Sequence, residues 1–179
     1  MNEKNRRPAR PARPAPAPVE EIEGQLEGRN ALQEALKSGR TIDKVFIAAG
    51  DTDKALQRLA AQAKEAGAVV VPVDRRKLDA MSTTHAHQGV IALVAAREYF
   101  TLEDILQEAA DRGEAPLIVI CDELSDPHNL GAIIRSAECA GAHGVIIPKR
   151  RSVGLTAVVA KASAGAVEYM KVARVTNIN

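Results

Sequence analysis

The residues with the clearest chemical potential lie between Asp126 and Ala137, in the string DPHNLGAIIRSA. An apolar run, Leu117–Cys121 (LIVIC), precedes this string and is typical of a buried strand. A helix is predicted to follow, with Asn129 at or near its start and Arg135 about a turn and a half further along. In open α/β sheets the ligand crevice lies at the carboxyl ends of the strands. A guanidinium at this edge has the planar fork that suits phosphate oxygens.

The same residues also have a purely structural interpretation. Asn129 can cap the predicted helix, because Asn is a preferred N-cap residue. Arg135 can extend its charged end into solvent from an otherwise apolar helix. Gly131 removes a side chain at a point where another backbone or a ligand can approach closely. The residues by themselves leave both interpretations open.

Hydrophobic patterning divides the chain into two α/β units, at residues 19–96 and 115–179, with residues 97–114 expected to connect them. Thr101 and Asp104 resemble a capping box at the start of a short helix in this connection. Short apolar runs alternating with helical periods predict layered α/β domains with helices packed on a sheet. The predicted strands are Asp43–Ala48, Ala68–Val73, Gly89–Ala96, Leu117–Cys121, Gly144–Pro148 and Met170–Val175. The predicted helices are Gly28–Lys37, Thr52–Ala66, a short helix through Ala80 that Asp74 can cap, Thr101–Ala110, Asn129–Ala140 and Leu155–Ser163.

The composition argues against several classes of protein. The chain has 24 Lys and Arg against 23 Asp and Glu, and only four Phe and Tyr with no Trp, so recognition by stacking bases on aromatic rings is disfavoured. Two cysteines make no disulfide framework and fit a reducing compartment. The sequence has neither G-x-G-x-x-G nor G-x-x-x-x-G-K-[ST]. No metal site is expected, because His85 and His87 lie two apart without further ligands at a suitable spacing, and no membrane span is expected.

The first 18 residues differ in composition from the rest of the chain. They hold five basic residues, one acidic residue and five of the nine prolines. Such a segment has little to bury, so it is predicted to be a disordered basic tail. Two interpretations of the tail remain open: a solubilising leader, and an electrostatic arm for RNA or ribosomes.

The string DPHNLGAIIRSA resembles the first signature motif of the SpoU (TrmH-type) RNA ribose methyltransferases of the SPOUT superfamily. The segments at 161–166 (KASAGA), 28–36 (GRNALQEAL) and 87–90 (HQGV) are similar to further parts of the same family. The resemblance extends over residues 19–179 in the expected order. It implies an α/β fold made of an amino-terminal α/β sandwich domain that binds the RNA substrate and a SPOUT-type parallel α/β domain.

The resemblance also implies an activity. Family members transfer a methyl group from S-adenosylmethionine to a ribose 2′-hydroxyl and work as homodimers. Several act on ribosomal RNA of the large subunit and others on transfer RNA. Structured RNA, with ribosomal RNA as the target, and a cytoplasmic location are expected here. Arg135 matches the family's candidate catalytic arginine, and Asn129 matches its active-site partner. An arginine stays charged at neutral pH, so an electrostatic clamp on a phosphate or a developing alkoxide is favoured. The resemblance keeps a general-base role for Arg135 open.

In the amino-terminal domain the resemblance places Arg29, Asn30, His87, Gln88 and Gly89 on RNA-facing loops. Arg29 can pair with phosphate, while Asn30 and Gln88 can contact base edges or 2′-hydroxyls. The structural alternative is a cap at the start of a helix for Arg29 and Asn30, and a plain turn for the other three.

The sequence departs from the family in one large respect. A glycine-rich segment with a glutamate, and a final segment with proline, serine and asparagine, have no counterpart before Asn179. In the family these segments form a knot and most of the S-adenosylmethionine pocket. We therefore expect the methyltransferase domain to be incomplete, its cofactor-binding residues to lie beyond Asn179, and this chain to be inactive alone. The alternative is a non-catalytic RNA-binding module.

Overall fold

A computed structural model of the chain describes residues 24–178. The predicted disordered tail at residues 1–18 lies outside the described residues. The described part contains seven strands, six α-helices and one 3₁₀-helix, arranged as two sheets with helices packed on them. The predicted α/β class is confirmed.

The first unit is a mixed four-stranded sheet with strand order β1-β4-β2-β3. Strands β2 and β3 are parallel, whereas β4 runs antiparallel to both β1 and β2. Strand β1 was not predicted, because three residues are too few to show a period. The elements are β1 (Gln25–Glu27), α1 (Arg29–Lys37), β2 (Ile42–Ala48), α2 (Lys54–Glu65), β3 (Val69–Val73), α3 (Arg75–Met81) and β4 (Val90–Val94).

Helices cover both faces of this first sheet. Successive side chains of a strand point to opposite faces, so neighbouring residues of β2 contact different helices. Val45 on β2 packs in a cluster with Leu32 of α1 and Leu56 of α2. Its neighbour Phe46 packs on the other cluster, which contains Leu78 of α3. Helix α3 therefore lies on the opposite face of the sheet from α1 and α2.

The second unit is a parallel three-stranded sheet with strand order β5-β6-β7. Helices α5 and α6 pack on one face, where the buried core includes Leu130, Ile134 and Ile147. The elements are α4 (Leu102–Arg112), β5 (Ile118–Ile120), α5 (Pro127–Cys139), β6 (Gly144–Pro148), α6 (Ala157–Ala162), the 3₁₀-helix Ala166–Glu168 and β7 (Val172–Val175).

Helix α4 packs on the other face of the second sheet. Thr101 and Asp104 form the predicted capping box at its start. Ile105 of α4 is fully buried and clusters with Ile146 and Ala173. The segment 97–114, expected to connect the two units, thus contains a helix that belongs to the hydrophobic core of the second one.

Strand β5 is less buried than its apolar sequence predicts. Leu117 is 50% exposed and Ile120 is 55% exposed. The expectation of a buried strand at Leu117–Cys121 was wrong, because β5 is an outer strand of its sheet within the described residues. Cys121, which follows β5, is buried, and this burial raises the pKa of its thiol.

A buried polar cluster joins the two units. Arg174 of β7 donates from Nη1 to Asp43 Oδ1 of β2 at 2.7 Å, and both side chains are less than a tenth exposed. Tyr99, between the units, donates its hydroxyl to Asp43 Oδ2 at 3.0 Å and accepts from the Leu155 amide at 2.8 Å. Burial raises the pKa of the Asp43 carboxyl, and the Arg174 charge opposes that rise. Every member of the cluster is hydrogen-bonded, as buried polar groups require.

Candidate functional site

Helix α5 begins two residues earlier than predicted. Asp126 is its N-cap, and Asp126 Oδ1 accepts a hydrogen bond from the His128 amide at 2.8 Å, with Pro127 in the first turn. The capping interpretation of Asn129 is therefore wrong. Asn129 is the third residue of the helix, and its side chain is exposed.

Arg135 lies on the exposed side of α5 at the wall of an open groove of about 440 Å³. Across the groove lies the turn at 163–166, followed by Glu168 and Tyr169. Among residues 24–178, the Arg135 guanidinium has no ion-pair partner within 4.0 Å. It is therefore a cation available to a ligand in the groove.

Gly131 explains why the turn at 163–166 lies beside α5. A Cβ added at Gly131 would lie 2.5 Å from the Ala162 Cβ and 2.9 Å from the Ser163 amide nitrogen. The close approach predicted for Gly131 is confirmed, and the approaching groups are the Ala162 methyl and the backbone at the end of α6. Ser163 is fully buried and donates its hydroxyl to the Ala160 carbonyl at 2.8 Å. These contacts fix the turn relative to Arg135.

Asn129 and Arg135 do not line the same groove. Because they are six residues apart on one α-helix, the two residues are separated by about 9 Å along the helix axis and point about 120° apart around it. The residues that line the groove include Arg135 but not Asn129. The two predicted catalytic residues are thus held by one helix but face different directions.

Arg29 and Gln88 of the first unit come together. The expectation that Arg29 and Asn30 lie on a loop was wrong, because they are the first two residues of helix α1. Arg29 donates from Nε to the Gln88 carbonyl at 3.2 Å, and its own amide donates to Gln88 Oε1 at 3.3 Å. Arg29 Nη1 also donates to Asp53 Oδ2 at 2.5 Å, and this hydrogen bond lowers the pKa of the Asp53 carboxyl. Asn30 is exposed in the first turn of α1. Arg29, Asn30 and Gln88 therefore form one partly exposed polar surface.

His87 and Gly89 occupy the interior of the same loop. Gly89 donates its amide to His87 Nδ1 at 3.0 Å, so the ring proton lies on Nε2, 2.9 Å from Asp79 Oδ1. His87 is 4% exposed. Gly89 is also buried and has a φ of +84°, which a residue with a side chain rarely adopts. Both residues shape the loop that presents Gln88.

Glu27 is the residue of this site that sequence reasoning missed. Its carboxylate accepts five hydrogen bonds from the hydroxyls of Ser82, Thr83 and Thr84 and from the amides of the two threonines. Burial raises the pKa of Glu27, but these hydrogen bonds outweigh burial and hold the pKa far below its usual range. Glu27 lies in a three-residue strand that was not predicted, so no sequence pattern indicated its role. The only hint was the Ser-Thr-Thr run at 82–84, which supplies several hydrogen-bond donors.

Replacing Glu27 with glutamine is expected to lower the free energy of unfolding at neutral pH by about 1–2 kcal/mol, because an amide accepts fewer of these bonds and has no charge. The pKa of Glu27 is lower in the folded state, so the carboxylate stabilises the fold above its unfolded pKa, near 4.5, and less as the pH falls. Urea denaturation should therefore show the difference between wild type and variant shrinking below pH 4.5.

Glu34→Gln is the matched control, because Glu34 pairs with Lys37 on the surface and is 71% exposed. We expect it to change stability by less than about 0.5 kcal/mol. A Glu27 variant as stable as this control at neutral pH would contradict the assignment of Glu27 as the anchor of the loop.

Residues 24–178 show no further site of two common kinds. No group of three or more His, Cys, Asp or Glu side chains there is arranged to hold a metal ion. In the same range, none of the helices combines the length and the apolar character that crossing a membrane requires. Both cysteines are free.

Comparison with known families matches the two units separately. Residues 25–100 match the family described as RNA 2′-O ribose methyltransferase substrate binding, and residues 116–179 match the SpoU rRNA methylase family. The chain belongs to the SpoU family, also called TrmH-type, whose members are tRNA/rRNA methyltransferases.

Individual relatives agree with this assignment. The chain is 50% identical over 151 residues to YacO of Bacillus subtilis, a protein assigned to the TrmH family of tRNA/rRNA methyltransferases. It is 46% identical over 151 residues to a protein of Staphylococcus haemolyticus with the same assignment. Each match covers 84% of this chain and 60% of the relative, so the chain spans about 60% of the length of these curated relatives.

Solved structures of the same kind are also matched. An AdoMet-bound rRNA methyltransferase from Sinorhizobium meliloti is 26% identical, with a TM-score of 0.38, covering 86% of this chain and 54% of that one. The SpoU methyltransferase AviRb from Streptomyces viridochromogenes, in complex with AdoMet, is 21% identical with a TM-score of 0.39, covering 87% of this chain and 56% of that one.

Proposed function

We propose that this protein is an RNA ribose 2′-O-methyltransferase that uses S-adenosylmethionine and acts on ribosomal RNA. The observation that carries the proposal is the ordered match of both SpoU models, one to each unit of the chain. We assign RNA binding to the domain at 19–96 and catalysis to the domain at 115–179. A homodimeric state and a cytoplasmic location follow from the family resemblance and form part of the proposal.

Arg135 is the residue we assign to the chemistry. A ribose 2′-hydroxyl is a poor nucleophile until it loses its proton or its developing charge is stabilised. The Arg135 guanidinium borders the groove without an ion-pair partner among the described residues, so it can hold a phosphate or the developing alkoxide. Asn129 supplies an exposed amide in the first turn of the same helix, which can contact the RNA on a neighbouring face.

S-adenosylmethionine supplies an electrophilic methyl group when it is bound. The described residues do not enclose a molecule of this size, because the groove beside Arg135 is open and Tyr169 at its wall is 81% exposed. We therefore assign none of the residues at 24–178 to the donor. The second candidate function is a non-catalytic RNA-binding module. The open groove favours it, because the described residues do not enclose a methyl donor.

The test is a transfer assay with the full-length protein, labelled S-adenosylmethionine, and ribosomal and transfer RNA as separate substrates. We expect label in ribosomal RNA, at a nucleotide whose 3′ phosphodiester bond resists alkaline hydrolysis because its 2′-oxygen is methylated. A substrate with a 2′-deoxyribose at that nucleotide should accept no label. RNA binding without transfer to either substrate would support the non-catalytic module, and transfer to a base would contradict the proposed chemistry.

Replacing Arg29 with alanine is expected to weaken RNA binding and to flatten its dependence on salt by about one phosphate contact. The reason is that Arg29 is part of the exposed polar surface formed with Asn30 and Gln88, and its guanidinium fork has donors beyond those used by Gln88 and Asp53. Affinity for a labelled RNA hairpin measured over a series of salt concentrations gives the slope.

Arg40→Ala is the control for Arg29, because Arg40 is an exposed arginine that follows the opposite end of α1. We expect its salt slope to equal that of the wild type. If Arg29→Ala also keeps the wild-type slope, Arg29 does not contact the RNA backbone.

A further inference from the structure

A cleft of about 500 Å³ lies between the two units, away from Arg135 and from the Arg29 surface. The end of α2 and the start of β3 form one wall. The other wall is formed by residues that follow the carboxyl ends of β6 and β7. The lining residues are Ala60, Ala61, Lys64, Gly67, Ala68, Val69, Val70, Lys149, Arg150 and Thr176.

The charges in this cleft are all of one sign. Lys64 comes from the first unit, whereas Lys149 and Arg150 come from the second, and no Asp or Glu is among the lining residues. Within residues 24–178, none of these three cations lies within 4.0 Å of a carboxylate. Alanine and valine side chains form much of the remaining wall, and low-dielectric walls of this kind focus the field of the charges.

The basic segment of the second unit is fixed in place by the cluster that joins the units. The Lys149 amide donates to the Val175 carbonyl at 2.7 Å. The Lys149 carbonyl accepts from Arg174 Nη2 at 3.2 Å, and Arg174 is held by the buried Asp43 of the first unit. The backbone position of Lys149 and Arg150 opposite Lys64 therefore depends on contacts between the units.

The cleft and the polar surface around Arg29 lie at opposite ends of helix α2. Asp53, which holds Arg29, caps the start of α2, and Lys64 lies in its last turn. Eleven residues of α-helix separate the two positions by about 16 Å. A polyanion that contacts both ends of α2 would therefore extend along the whole helix and enter the cleft between the units.

We propose that this cleft binds the phosphodiester backbone of the RNA substrate, with Lys64, Lys149 and Arg150 contacting phosphates. The inference rests on the proposed function, in which the substrate is RNA. Because both units contribute cations, the cleft sets the direction in which RNA bound by the first unit reaches the second. Its role is positioning: the three side chains contact the backbone and carry no sequence information.

The test measures binding of the full chain to a labelled RNA hairpin over a series of salt concentrations. Lys64→Glu and Arg150→Glu should each lower affinity about tenfold at low salt and reduce the slope of log affinity against log salt by about 0.7–0.9. Arg76→Glu is the matched control, because Arg76 is an exposed arginine on α3, on the opposite face of the first sheet from α2. Thermal melting should show the same stability for all three variants and the wild type.

The outcomes separate this inference from the proposed function. If the wild type binds RNA and the cleft variants have the affinity and slope of Arg76→Glu, the proposed role of the cleft is wrong and the proposed function is unaffected. Lower affinity with an unchanged slope would also overturn it, because the lost contact would not be ionic. Absence of RNA binding by the wild type would overturn both.

Discussion

Replacing Arg135 with alanine is expected to lower the rate of methyl transfer by about 10²-fold or more, the usual effect of removing an electrostatic catalytic group. The expectation follows from an exposed cation on α5, at the wall of the groove formed with the turn at 163–166. The effect should fall on kcat more than on KM, because the developing charge on the 2′-hydroxyl exists only in the transition state. Single-turnover transfer to RNA by the full-length protein measures it.

Two further variants define the role of this side chain. Arg135→Lys should restore little activity, because a point charge replaces a planar fork. Arg112→Ala is the control, since Arg112 ends helix α4 on the opposite face of the second sheet and pairs with Glu108. It should keep wild-type turnover. Near-normal turnover of Arg135→Ala would make Arg135 an ordinary surface residue and remove it from the mechanism.

Replacing Asp43 with alanine is expected to lower the free energy of unfolding by about 3–5 kcal/mol. The variant leaves the Arg174 guanidinium buried without its counter-charge, and it also removes the acceptor of the Tyr99 hydroxyl. Because this cluster joins the two units, their unfolding should become less cooperative. Urea denaturation of the full chain, followed by a probe in each unit, measures both effects.

A double-mutant cycle separates the ion pair from the rest of the cluster. Arg174→Met alone should also destabilise the chain, and the double variant with Asp43→Ala should cost less than the sum of the two single changes. The exposed pair between Glu123 and Arg151 is the control, and removing it should leave the free energy of unfolding close to that of the wild type. Additive costs at Asp43 and Arg174 would show that the two charges do not stabilise each other.

Features that depend on neighbouring residues could be predicted from the sequence. Asp74 caps α3 through the Arg76 amide at 2.8 Å, as expected for an aspartate before a helical period. The capping box at Thr101 and Asp104 also forms as predicted. A cap joins groups two or three residues apart, so residue types and spacing are sufficient to predict it. Strand β6 was also predicted, with the bounds Gly144–Pro148 that the structure has.

The candidate site was predictable in part. The string from Asp126 to Ala137 indicated Arg135 and Asn129, and the family match to this unit agrees with the resemblance carried by that string. The sequence also indicated a close approach at Gly131, but it left open whether the partner was a backbone or a ligand. The spacing placed both candidate residues on one helix, and the groove itself depends on how α6 packs against α5.

By itself, then, the sequence determined the α/β class, most helices and strands, the family and the strings that hold the candidate residues, because these depend on local periodicity and short motifs. Only the tertiary structure decided the contacts between distant positions. Asp43 and Arg174 are 131 residues apart, and Glu27 meets its threonines more than 50 residues later. Local propensities carry no information on which distant segments meet. The burial of such groups is decided by packing of complete elements, and this packing also brings Lys64 to the same cleft as Lys149 and Arg150.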